Sequence, residues 1–85
     1  MNKLFEDKGF ADYVYWQSQD RKTLNKINRL LQSIDRDGPM SGLGKPEKLS
    51  HRENDYSRRI DEVNRLVYAI ENQNIIIKSC KGHYE

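Results

Sequence analysis

Five side chains in the second half of this 85-residue chain could between them move protons and hold a phosphate: Glu47, Arg59, Arg65, His83 and Tyr84. Cutting an RNA strand without a metal needs such a set. The 2′-hydroxyl must lose a proton as it attacks the phosphorus, and a carboxylate or an imidazole can take it. Negative charge then gathers on the equatorial phosphate oxygens, where guanidinium forks answer it in bidentate fashion. The departing 5′-oxygen needs a proton, and histidine is the side chain whose ordinary pKa suits that step. The nucleophile is already in the substrate, so no cofactor is demanded. Spacing alone leaves the plainer reading open, since each of these residues taken singly is as readily a solvated or structural side chain.

Other candidates are weaker. Gly42-Leu43-Gly44-Lys45 suggests a phosphate loop, but such a loop needs a longer glycine spacing, Ser or Thr after the lysine, and a strand before it. Here Pro46 follows Lys45 and a helical pattern precedes, so a flexible connector is expected. Cys80 and His83 lie close in sequence, yet no second pair completes a tetrahedral metal set. Cys80 reads as a small buried apolar residue and His51 as a surface residue. Tyr13 and Trp16 are expected in the core. Arg58 and Arg59 are adjacent on a strand and must face opposite ways, so one of them points away from any shared site.

The elements that must position these groups follow from pattern. Asn2–Glu6 reads as a first strand. A helix is expected over Asp7–Gln19, with Phe10, Tyr13, Val14 and Gln17 forming one stripe, widened by Tyr15 and Trp16. Asp20 suits the N-cap of a second helix, in which Leu24, Ile27, Leu30, Leu31 and Ile34 keep helical spacing. Asp37-Gly38-Pro39 ends it. Met40–Pro46 is a loop, Glu47-Lys48-Leu49 starts a strand, and His51–Asp55 is a loop. From Tyr56 to Tyr84 three β-branched and aromatic runs are joined by polar turns at Asp61–Asn64 and Glu71–Asn74. The expected fold class is α+β in the order β-α-α-β-β-β-β, a mostly antiparallel sheet of four or five strands. A helical hairpin covers one face and the other face is left for a site.

Composition sets limits. Hydrophobic residues make up 35% and charged residues 33%, and 15 Lys and Arg stand against 13 Asp and Glu, for a net charge of +2. Bulk charge therefore argues for no nucleic-acid partner; local arrangement has to. A chain this short is expected to form one domain over residues 1–85, marginally stable alone, so a homodimer or a bound protein partner is expected to help it. The single cysteine cannot form an internal disulfide, which suits a reducing cytoplasm. No apolar run approaches the roughly 20 residues of a membrane helix. No signal peptide is expected from Met1–Phe5 running into Glu6-Asp7.

Tyr13-Val14-Tyr15-Trp16-Gln17, Gly44-Lys45-Pro46-Glu47 with Leu49, Ser57-Arg58-Arg59-Ile60, Arg65-Leu66-Val67-Tyr68-Ala69 and the ending His83-Tyr84 occur in this order. Together they resemble the YoeB/Txe toxins of the RelE-like superfamily over nearly the whole chain. The resemblance implies a RelE-like fold and a toxin that enters the ribosomal A site and cuts mRNA there. It also implies neutralisation by a YefM/Phd-type antitoxin, with operator DNA bound only through that complex. It assigns Glu47 as general base, Arg65 as transition-state clamp, His83 as general acid and Tyr84 as an aid to substrate placement. Arg59 is the second arginine at the phosphate, and Lys45 and Lys48 are expected to meet RNA backbone. An alternative is a weakly active or inactive toxin-like subunit that acts mainly as an antitoxin-binding corepressor. A ParE-like protein acting on DNA gyrase would not be expected to carry this Glu, Arg and His-Tyr set. The sequence departs from the family pattern at Gly82, where an aromatic residue is expected. It also departs at Glu85, at Tyr56 in place of Trp, and in the turn Asp61-Glu62-Val63-Asn64. Glycine at 82 is expected to add backbone freedom beside His83.

Overall fold

The computed structural model describes residues 1–83; Tyr84 and Glu85 lie outside the described residues. The elements are β1 (Asn2–Phe5), α1 (Asp7–Gln19), α2 (Arg21–Asp37), β2 (Glu47–Lys48), β3 (Asp55–Arg59), β4 (Arg65–Glu71) and β5 (Asn74–Ser79). The sheet order is β1-β5-β4-β3-β2. β1 runs parallel to β5, and the other neighbours are antiparallel. The sheet is mostly antiparallel with two helices packed on one face, as the order of patterns predicts, and the parallel β1–β5 pair makes it mixed.

The second helix forms as its sequence dictates. Asp20 accepts from the amides of Lys22 and Thr23 and from the Thr23 hydroxyl, at 3.1, 3.2 and 2.8 Å. These bonds hold its carboxyl below the usual range. Leu24, Ile27, Leu30, Leu31 and Ile34 are all buried against Leu66, Tyr68, Ile75 and Ile77 of the sheet.

The first helix differs from its periodicity. Phe10, Val14 and Tyr15 are exposed, and the buried positions are Gly9, Asp12 and Trp16. Tyr13 is half-buried, its hydroxyl donating to Asn28 at 2.7 Å. The cause is close approach to β5. A Cβ on Gly9 would lie 2.3 Å from the Ile77 carbonyl oxygen, so only glycine lets the helix sit there. Asp12 faces inward because its carboxylate accepts the Cys80 amide at 3.0 Å, and Lys8 pairs with it at 2.7 Å. Of the predicted stripe only Tyr13 packs against the core, while Phe10, Val14 and Gln17 stay exposed.

Register settles which strand residues share a face. Arg58 pairs with Leu66 and Tyr56 with Tyr68, and these point toward the helices, because Arg58 bonds Ser33 of α2. Arg59 pairs with Arg65, Ser57 with Val67, and Glu47 with Ser57, all on the opposite face.

Candidate active site

A polar cleft of about 210 Å³ opens on the helix-free face, lined by Lys45, Glu47, Ser57, Arg59, Arg65 and His83. Four separate segments contribute: β2 with the loop that leads into it, β3, the start of β4, and the segment after β5. Tyr84, the other predicted site residue here, lies outside the described residues. Lys48 is not brought to this cleft. It follows Glu47 on β2, so alternation turns it to the other face, where its ammonium lies 5.3 Å from the Tyr56 ring centroid. As the sheet's edge strand, β2 leaves Lys48 exposed.

Arg65, His83, Lys45 and Glu47 are each presented by a segment with an identifiable support. The turn after β3 is closed by Asp61, which accepts from the amides of Val63 and Asn64 at 2.8 and 2.7 Å and from the Asn64 side chain. Partial burial pushes the Asp61 carboxyl up, but the Asn64 and Val63 hydrogen bonds prevail and hold it below the ordinary value. The carbonyls of Asp61 and Asn64 in turn accept from Arg65 Nη1 at 2.7 and 3.1 Å. One nitrogen of the fork is thereby fixed to the turn, which fixes the plane of the guanidinium. His83 follows Gly82, whose amide donates to Asn64 Oδ1 at 2.8 Å and whose carbonyl accepts from the Arg65 amide at 3.0 Å. Two residues earlier, Cys80 is held on both sides. Its amide donates to Asp12, and its carbonyl accepts from Trp16 Nε1 at 2.8 Å. Its thiol is buried, and that burial pushes its pKa up to about 12, so it carries no thiolate chemistry near neutrality. Among the described residues no group of three or more His, Cys, Asp or Glu is placed to hold a metal.

Lys45 and Glu47 depend on the loop between α2 and β2, and that loop depends on Arg58. Arg58 is fully buried. Its guanidinium donates to the Tyr68 hydroxyl (2.9 Å), Ser33 Oγ (3.0 Å), and the carbonyls of Leu43 (2.9 Å), Gly38 (2.7 Å) and Ser41 (2.6 Å). Tyr68 donates onward to the Pro39 carbonyl at 2.6 Å. Asp37, bonded to the same Ser33 hydroxyl at 2.9 Å, supplies a counter-charge nearby. Its carboxyl is held low first by Arg36 and Ser33, and to a lesser degree by Arg58. Beyond this knot, Gly44 at φ +85° packs under Leu30, and its carbonyl accepts the Arg59 amide. Alternation required one of Arg58 and Arg59 to point away from the site, and the resemblance chose Arg59 for it, but what Arg58 does was missed. The one available signal was a charged residue forced onto the sheet face that the helices cover.

A helical hairpin over a five-stranded mixed sheet, with a cationic cleft on the open face, is the RelE-like toxin architecture. Within that class, residues 5–84 match the family described as YoeB-like toxin of bacterial type II toxin-antitoxin system. Toxin YoeB of Escherichia coli K12 is 40% identical over 85 residues, spanning 99% of this chain and all of that one. The structure of a YoeB dimer from Staphylococcus aureus superposes with a TM-score of 0.93 at 50% identity, covering 99% and 98% of the two chains. A heterotetrameric YoeB-YefM toxin-antitoxin complex from the same organism gives 0.91 at 50% identity over the same shares. The chain belongs to the YoeB-like toxins of type II toxin–antitoxin systems.

Proposed function

We propose that this chain is a ribosome-dependent mRNA endonuclease that cuts in the A site by metal-independent attack of the 2′-hydroxyl. The observation that carries this reading is the convergence of Glu47, Arg59, Arg65 and His83 on one cleft from four segments. Glu47 takes the 2′-hydroxyl proton, O2′ bonds to phosphorus, and the P–O5′ bond breaks as His83 delivers a proton to O5′. The products are a 2′,3′-cyclic phosphate and a free 5′-hydroxyl. Arg65, fixed by its turn, binds the phosphorane-like oxygens with Arg59 beside it. Lys45 steadies the adjoining backbone and Tyr84 helps place the nucleotide. Lys48, on the far side of the edge strand, meets only RNA that passes around β2. A YefM/Phd-type antitoxin neutralises the toxin, as the composition of the Staphylococcus complex supports. The toxin acts in the cytoplasm as a homodimer and reaches operator DNA only through the antitoxin.

The test is to add the purified protein to an in-vitro translation reaction and map mRNA 5′ ends by primer extension, with His83→Ala in parallel. New ends inside translated codons are expected with wild type, and none with the variant or without ribosomes. Intact message at high protein concentration would overturn the nuclease reading in favour of an antitoxin-binding subunit.

A further inference from the structure

Gly82 and Asn64, the last residue of the turn before β4, meet in space. Gly82 sits at φ +86°, where glycine is at ease and an L side chain is strained, with nothing within 4 Å of a Cβ built there. No side chain is there to wedge this half-buried residue in place, so its two backbone hydrogen bonds matter. One of them, from the Arg65 amide to the Gly82 carbonyl, is backbone to backbone and is available to any sequence. The other requires Asn64, whose Oδ1 accepts the Gly82 amide at 2.8 Å.

The orientation of that amide is itself determined. Asp61 is an acceptor only, so the Asn64 NH₂ turns to its carboxylate, at 3.2 and 3.0 Å from the two oxygens. This leaves the carbonyl oxygen facing Gly82. The Asn64 main-chain carbonyl meanwhile accepts from Arg65 Nη1. A single residue therefore joins the turn that fixes the Arg65 fork to the segment that carries His83.

We infer that Asn64 is a positioning residue that offsets the freedom of Gly82 and keeps His83 in register with Arg65 across the cleft. This rests on the proposed nuclease reading for its consequence in catalysis. The hydrogen bond and its effect on Gly82 do not depend on that reading.

The experiment compares wild type with Asn64→Ala. It measures single-turnover cleavage on programmed ribosomes, ribosome affinity, melting temperature and hydrogen exchange at the Gly82 amide. A third protein carries D-alanine in place of Gly82 in the Asn64→Ala background, made by ligating a synthetic 80–85 peptide at Cys80. A D-residue favours positive φ and restores the restraint without the Asn64 bond. Asn64→Ala is expected to speed Gly82 exchange and slow cleavage about ten- to a hundredfold, the scale set by small misplacements of a catalytic group. Ribosome affinity should stay unchanged, and the D-alanine protein should recover most of the lost rate. Unchanged cleavage in Asn64→Ala would overturn the inference. So would a loss that D-alanine leaves untouched while the melting temperature is restored. Absence of cleavage by wild type would instead sink the nuclease reading, and Gly82 exchange alone would then decide whether Asn64 restrains the segment.

Discussion

Replacing Arg58 by methionine should detach the loop that presents Lys45 and Glu47. The guanidinium satisfies three loop carbonyls, those of Gly38, Ser41 and Leu43, together with Ser33 and Tyr68. A hydrogen bond to a charged group contributes about 1.5–3 kcal/mol, but the five do not sum. Removing the guanidinium also relieves the cost of burying a charge, itself several kcal/mol. The carbonyls will not stay dry, because residues 38–46 run along the surface and can swing into water. What is lost is then the ordered loop and the two interior bonds, about 3 kcal/mol net. For a domain of this size about 1 kcal/mol corresponds to roughly 4–8 °C, so the melting temperature should fall by roughly 12–24 °C. Thermal denaturation gives that number. Limited thermolysin digestion, with its susceptible bond before Leu43, reports the loop directly. Arg58→Lys should fall nearly as far, since one ammonium cannot span acceptors spread over a planar fork. A melting temperature within about 4 °C of wild type, with Leu43 still protected, would refute the anchoring role.

Three further outcomes are expected. Gly44→Ala puts a Cβ 2.7 Å from Leu30 Cδ2 and 3.0 Å from the Arg59 carbonyl oxygen at a positive φ, so it should destabilise by about 1–3 kcal/mol in urea titrations. Asp61 has a lowered pKa, so its stabilising contribution is present above its unfolded value near 3.8 and disappears as pH falls through the lower folded value. Asp61→Asn should therefore be less stable than wild type at neutral pH, with the gap closing in strong acid; a constant gap across the acid titration would contradict this. Glu47→Ala and Arg65→Ala should each abolish growth arrest on expression while leaving the fold intact by circular dichroism, and undiminished arrest would remove both from the site.

Much of this fold is legible in the residues because local physics decides it. Leu24, Ile27, Leu30, Leu31 and Ile34 can share a face only in a helix, and Asp20 caps that helix with atoms two and three residues away. Alternation alone separates Arg58 from Arg59, and the same rule separates Lys48 from Glu47, so the face Lys48 takes was readable too, though its place beside Tyr56 needed the β2–β3 register. The first helix was not readable in this way. Its inward face is a glycine, a carboxylate and a tryptophan, each selected by one atom of β5 or the segment after it: the Ile77 carbonyl, the Cys80 amide and the Cys80 carbonyl. Hydrophobic periodicity has no means of registering such contacts, and it favours Phe10 and Val14, which stay exposed.

The same division runs through the site. Its reactive types are recognisable one by one, but what makes them a site lies on the opposite side of two strands. Arg59 and Arg65 face the cleft while their strand neighbours Arg58 and Leu66 face the helices. The loop bearing Lys45 and leading into Glu47 is tied to the first of those neighbours, and the His83 segment to α1 through Asp12 and Trp16. Cleft geometry is thus set by packing on the covered face and transmitted through β3 and β4, whose pairing fixes both faces at once. Substitutions at Arg58 or Trp16, which line no part of the cleft, should therefore disturb it as surely as changes to the residues that do.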